Sequence, residues 1–137
     1  MLDLHLDPAK NLLTTRVAGV VGVGELATKL YQAIRDPKFS SGMNGLIVAL
    51  DNDAIPDPGR FSLLKPVLKV WITQRTGARW ALVAPTELAR DRAEALLVEL
   101  KLGGAIRCFT SEAAAVAWLQ EASVAFGEAF RGAAVPA

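Results

Sequence analysis

One histidine, His5, and one cysteine, Cys108, bound the proton-transfer and covalent chemistry open to this 137-residue chain. A single histidine cannot form a metal-binding histidine pair, and a catalytic triad would need it aligned with a nucleophile and an acid. His5 alternates with Leu4 and Leu6 and shares a face with Asp3 and Asp7, so a solvated side chain on a half-buried strand is expected. Cys108 stands between Arg107 and Phe109, neither of which can act as its general base, and a structural thiol is expected. With no second cysteine there is no internal disulfide, which suits a reducing cytoplasm.

Two further constellations could bind a ligand. Gly22-Val23-Gly24-Glu25-Leu26-Ala27 matches the dinucleotide pattern G-x-G-x-x-G/A after a strand, and Asp51 ends the next strand where a ribose-binding acid would stand. Against nucleotide binding, Glu25 would bring a negative charge to the pyrophosphate, and the preceding strand is the second arm of a hairpin. It is therefore the lesser alternative. Asp51, Asn52, Asp53 and Asp57 cluster in a loop at the carboxyl end of that same central strand, the end at which α/β proteins place ligands. The same residue types make turns by bonding their own backbone, and no glutamate completes a calcium loop. Asp51 and Asp53 are kept as candidate binding residues, with neither a metal nor a cofactor expected.

The elements that must position these residues follow from periodicity. Residues 2–6 and 12–21 read as an antiparallel hairpin across the turn-prone Asp7-Pro8-Ala9-Lys10-Asn11. Leu26, Leu30, Ala33 and Ile34 recur at helical spacing over 25–34, and Asp36-Pro37 ends that helix. The apolar run 45–50 predicts a strand covered on both faces. A second helix is predicted over 61–74, with Pro66 tolerable only in its first turn. Residues 79–84 repeat the buried-strand pattern, Thr86 is an N-cap candidate, and a third helix runs to about residue 102 before Gly103-Gly104. A short strand at 105–109 and a helix opened by Thr110-Ser111-Glu112 complete the order β-β-α-β-α-β-α-β-α. That order predicts a single-domain α/β protein with a mixed five-stranded sheet and about four helices. Residues 121–137, with Phe126 and Phe130 four apart, read as a helical extension and tail.

Fifteen basic residues against fourteen acidic ones create no field that would draw nucleic acid or anionic lipid, and nucleic acid is not an expected partner. The N-terminus lacks the basic and apolar regions of a secretory signal, and the apolar runs are far shorter than the roughly 20 residues of a membrane span. Any membrane contact is expected to be peripheral.

The stretch 79–85, the following helix, Ile106-Arg107-Cys108-Phe109, and Ser111-Glu112-Ala113-Ala114-Ala115-Val116-Ala117-Trp118-Leu119 together resemble the SpoIIAA-like, STAS/SEC14-related family over about residues 12–120. The resemblance implies a domain spanning 1–120 with a cytoplasmic regulatory or ligand-holding role and no catalysis. Anti-sigma-factor antagonists of that wider group carry a phosphorylated serine in an Asp-Ser pair, whereas this chain has Arg60-Phe61-Ser62 near that place and no Asp-Ser. A phosphate on Ser62 near a helix N-terminus would meet free backbone donors. The SEC14 side implies an apolar or lipid-like ligand. The second predicted helix is apolar around much of its circumference, with Phe61, Leu64, Leu68 and Trp71 as candidate binding residues. The expected function is a non-enzymatic interaction module, with a protein partner or as a homodimer, using 51–60 and 61–74. The alternative is a carrier of a small apolar or lipid-like molecule.

Overall fold

Strands β1 (Leu2–Asp7) and β2 (Leu12–Val17) pair antiparallel, with Leu2 opposite Val17 and Asp7 opposite Leu12. In this computed structural model residues 1–40, 42–73, 78–100 and 106–121 are described, without the side chains of 58 and 70–73 and of 100. The hairpin turn is built by its own residues. Asp7 accepts the Lys10 backbone N–H at 3.3 Å, and Asn11 takes the left-handed conformation at φ 52°, which asparagine tolerates better than most residues. The second strand stops at Val17, short of the expected residue 21, because Gly19 turns the chain at φ 68°.

Helix α1 (Val23–Arg35) buries Leu26, Leu30 and Ala33 and ends at Asp36, ahead of Pro37. Strand β3 (Asn44–Ala49) is followed by a short 3-10 turn at Asn52–Ala54 and then α2 (Pro58–Thr73). Strand β4 (Trp80–Val83), α3 (Glu87–Leu100), β5 (Ile106–Phe109) and α4 over 112–121 complete the chain order. Thr86 Oγ1 accepts the Ala89 N–H and Ser111 Oγ the Ala114 N–H, both at 3.1 Å, so each helix opens on the cap its sequence announces.

The strands lie in chain order, β1-β2-β3-β4-β5, with β2 to β5 parallel and β1 antiparallel at the edge. This is the expected mixed five-stranded α/β architecture. Successive right-handed crossovers that always step in the same direction return the three connecting helices, α1 to α3, to one face. Leu26 and Leu30 of α1, Phe61 and Leu64 of α2 and Leu96 and Leu97 of α3 accordingly pack with Leu13, Val17, Trp80 and Ile106 of the sheet. The last helix covers the opposite face, where Ala115 and Leu119 meet Leu46, Val48, Ala81 and Val83. A bidentate Arg16–Glu112 pair, 2.8 Å at its shorter contact, ties the first turn of α4 to β2.

Two expectations are corrected. The second helix begins at Pro58 instead of residue 61, because Asp57 closes its start: its backbone carbonyl accepts the Phe61 N–H at 2.8 Å and its side chain the Arg60 N–H at 2.9 Å. Pro66 consequently lies in the helix interior instead of the first turn. It is exposed there with Ser62, Leu63 and Lys69, so the ring lies on the solvent side of the helix. The expected end of α3 at residue 102, the Gly103-Gly104 signal and the extension with Phe126 and Phe130 lie outside the described residues. Among the described residues no helix is long and apolar enough to cross a membrane.

Candidate functional site

Between the sheet and its three-helix face lies a cavity of about 120 Å³. Its floor is the inward row of the strands: Leu2 of β1, Thr15 and Val17 of β2, Ile47 and Ala49 of β3, and Trp80 and Leu82 of β4. Phe61, Leu64 and Leu68 of α2 form the roof, flanked by Leu26 and Leu30 of α1 and by Leu96 and Leu97 of α3. The carboxyl end of the strands is closed by the loop after β3, through Ala54, Ile55 and Pro56.

Trp80 dominates one wall. Its ring lies over Gly45, its register partner on β3, where an added Cβ would approach Trp80 Cε3 to 2.1 Å. Only glycine leaves that space, and the indole is thereby fixed at 2% exposure.

The closing loop is fastened on both sides. The Asp51 carboxylate accepts the Gly19 N–H at 2.9 Å and the Ala54 N–H at 2.9 Å, which joins the loop to the end of β2 and to its own 3-10 turn. From α3, Arg92 Nη1 donates to the Asn52 carbonyl at 2.8 Å, while the Thr86 hydroxyl donates to Asn52 Oδ1. From α2, Arg60 Nη2 donates to the Val21 carbonyl at 3.1 Å. The bonds of Asp51, Arg92 and Thr86 hold the loop that carries Ile55, only 3% exposed, against the cavity.

The structure divides the residues expected from sequence. Phe61, Leu64 and Leu68 converge on the cavity. Asp51 serves the loop's own fastening, and Asp53 is exposed. Among the described residues no three histidine, cysteine or acidic side chains gather as a metal site would require. Ser62 is exposed in the second turn of α2, because that helix starts earlier than expected, so it does not sit at the free donors of a helix start. The side chain of Trp71 lies outside the described residues. Gly22 caps α1, and neither it nor Gly24 meets a neighbouring protein atom within 4 Å.

The chain matches no family model, no curated protein and no solved structure, and nothing in those comparisons identifies a SpoIIAA-like or STAS family. Function must come from the geometry itself.

No acidic, basic or histidine side chain lines the cavity among the described residues. Proton transfer and ion pairing have no donor or acceptor there, and what the cavity offers is dispersion and apolar contact. Cys108 lies just outside it, half-buried beside Leu82, Ala89 and Ala93. Burial pushes its thiol above the ordinary value and Glu94 adds to the effect, with Arg90 opposing, so the thiolate form of a nucleophile is disfavoured. Sequence reading missed Thr15, Ile55 and Trp80 as site residues. Thr15 and Trp80 read as ordinary strand positions and Ile55 as one apolar residue of the loop 51–60, and no local signal marks a residue that borders empty space.

Proposed function

We propose that this protein is a non-catalytic binding module, working in a reducing cytoplasm, that holds one small apolar molecule in the cavity between the sheet and α2. One observation carries the reading: about 120 Å³ of space bordered almost wholly by hydrocarbon. An unfilled cavity costs about 24 cal/mol per Å³, so this one forgoes about 3 kcal/mol that packing would supply. A ligand restores those contacts. Water does so poorly, because a buried water needs several polar partners.

Toluene tests the reading directly. At a hundredfold excess over its dissociation constant it should stabilise the protein by about 2.7 kcal/mol, seen as a rise in Tm. Ala49→Leu, which fills the floor of the cavity, should remove that rise. A protein that neither binds toluene nor changes in Tm would refute the reading.

A second reading, an interaction module or homodimer using α2 and the loop 51–60, draws support from Leu63, which is 67% exposed on α2. Sedimentation of the wild type against Leu63→Glu tests it. A dimer that the glutamate dissociates supports the reading, and a monomer in both removes the homodimer.

A further inference from the structure

We propose that the cavity selects a small neutral molecule carrying one hydrogen-bonding group, such as a phenol or a short branched alcohol, and that Thr15 binds that group. This deepens the ligand-binding reading and rests on it.

Thr15 lies on the inward row of β2 between Leu13 and Val17, and like them it is buried, at 9% exposure. Its cross-strand partners are Leu4 on β1 and Ile47 on β3, neither of which offers a side-chain donor or acceptor. Among the described residues nothing hydrogen-bonds its hydroxyl, and it borders the cavity. The backbone groups around it are engaged in the sheet ladders on both sides of β2. Valine has nearly the same shape and suits a buried strand position better, since a hydroxyl taken out of water without a partner lowers stability. A threonine here instead gives the cavity a side-chain hydroxyl that an occupant can bond.

The chemistry of that occupant is narrow. Water is a poor candidate, because Thr15 offers one partner where a buried water needs roughly two to four. A charged ligand would be stranded, since the lining holds no counter-charge. An engineered apolar cavity of about 150 Å³ takes benzene, so about 120 Å³ suits a single ring or a short branched chain. A hydroxyl on that ligand can both donate to Thr15 Oγ1 and accept from it, whereas a pure hydrocarbon leaves Thr15 unsatisfied.

Phenol and toluene, nearly equal in size, provide the test when titrated calorimetrically into the full chain and into Thr15→Val and Thr15→Ser. Thr15→Val should weaken phenol about tenfold, the loss of one hydrogen bond, and leave toluene within about twofold. Thr15→Ser, which keeps the hydroxyl, should retain most of the phenol affinity. Without ligand, Thr15→Val should melt at a higher temperature than the wild type, which a merely structural hydroxyl bond would not allow. If toluene binds but Thr15→Val changes phenol and toluene alike, this inference fails while the ligand-binding reading stands. Should neither compound bind the wild type, both fall.

Discussion

Gly45 and Trp80 face each other across β3 and β4, and their contact sets the wall of the cavity at single-atom resolution. A methyl group on residue 45 must push the indole away, and overpacking of this kind costs about 3 kcal/mol. Gly45→Ala should therefore lower the stability of the protein by about that amount in urea unfolding and shift the indole resonance of Trp80. Cys108 makes a prediction in pH. Its thiol is raised in the folded protein by burial and then by Glu94, so it contributes stability that is fully present below the ordinary thiol value, about 8.5. That contribution is lost as pH rises through the folded value. Stability should decline on the alkaline side of about 8.5 in the wild type, and the decline should be shallower in Cys108→Ala. Alkylation by iodoacetamide should be slower in the folded chain than in urea across the same range.

At the scale of elements, α2 keeps a proline in its interior, where the Ser62 carbonyl loses its intrahelical donor and the ring crowds that carbonyl. Alanine is favoured over proline by about 3 kcal/mol inside a helix, offset in part because proline also restricts the unfolded chain. Pro66→Ala should thus stabilise the protein by about 2 kcal/mol, measured as a higher urea midpoint. A fall in the midpoint would mean that the bend at Pro66 is needed for the roof of the cavity. The last helix depends on Asn44, 5% exposed, whose Nδ2 donates to the Leu119 carbonyl at 3.3 Å and whose Oδ1 accepts the Arg79 N–H at 3.0 Å. Removing the amide takes a hydrogen bond from two groups, the Leu119 carbonyl of α4 and the Arg79 N–H just ahead of β4. Asn44→Ala should cost about 3 kcal/mol and speed amide exchange in α4 before it does so in β3. The Arg16–Glu112 pair at the other end of α4 is more than 40% exposed on both sides, and breaking it should cost well under 1 kcal/mol, less still in high salt.

At the scale of the whole molecule, a void of about 120 Å³ has a volumetric signature. Unfolding eliminates internal voids, so pressure favours it, with volume changes of about −20 to −100 mL/mol in ordinary proteins. High-pressure fluorescence should find a larger volume change for the wild type than for Ala49→Leu, and bound toluene should reduce the wild-type value too. Equal changes in both proteins would mean that the space collapses in solution.

Strand and helix order was legible because it is local. Leu2, Leu4 and Leu6 alternate, Leu26, Leu30 and Ala33 repeat at helical spacing, and Asn11, Pro37 and Thr86 act on the backbone within a few residues of themselves. Phe61, Leu64 and Leu68 were legible as a surplus of apolar surface on one helix. Tertiary structure alone decided what that surplus meets. A cavity is a shortfall of volume among residues from all five strands and three helices, and no segment of the chain carries the sum. Asp51 illustrates the same limit: its type and place at a strand end suit a ligand, but only the fold brings the Gly19 N–H to its carboxylate. Thr15 is the converse case, a residue that reads as an ordinary strand position until the fold sets it beside an apolar cavity.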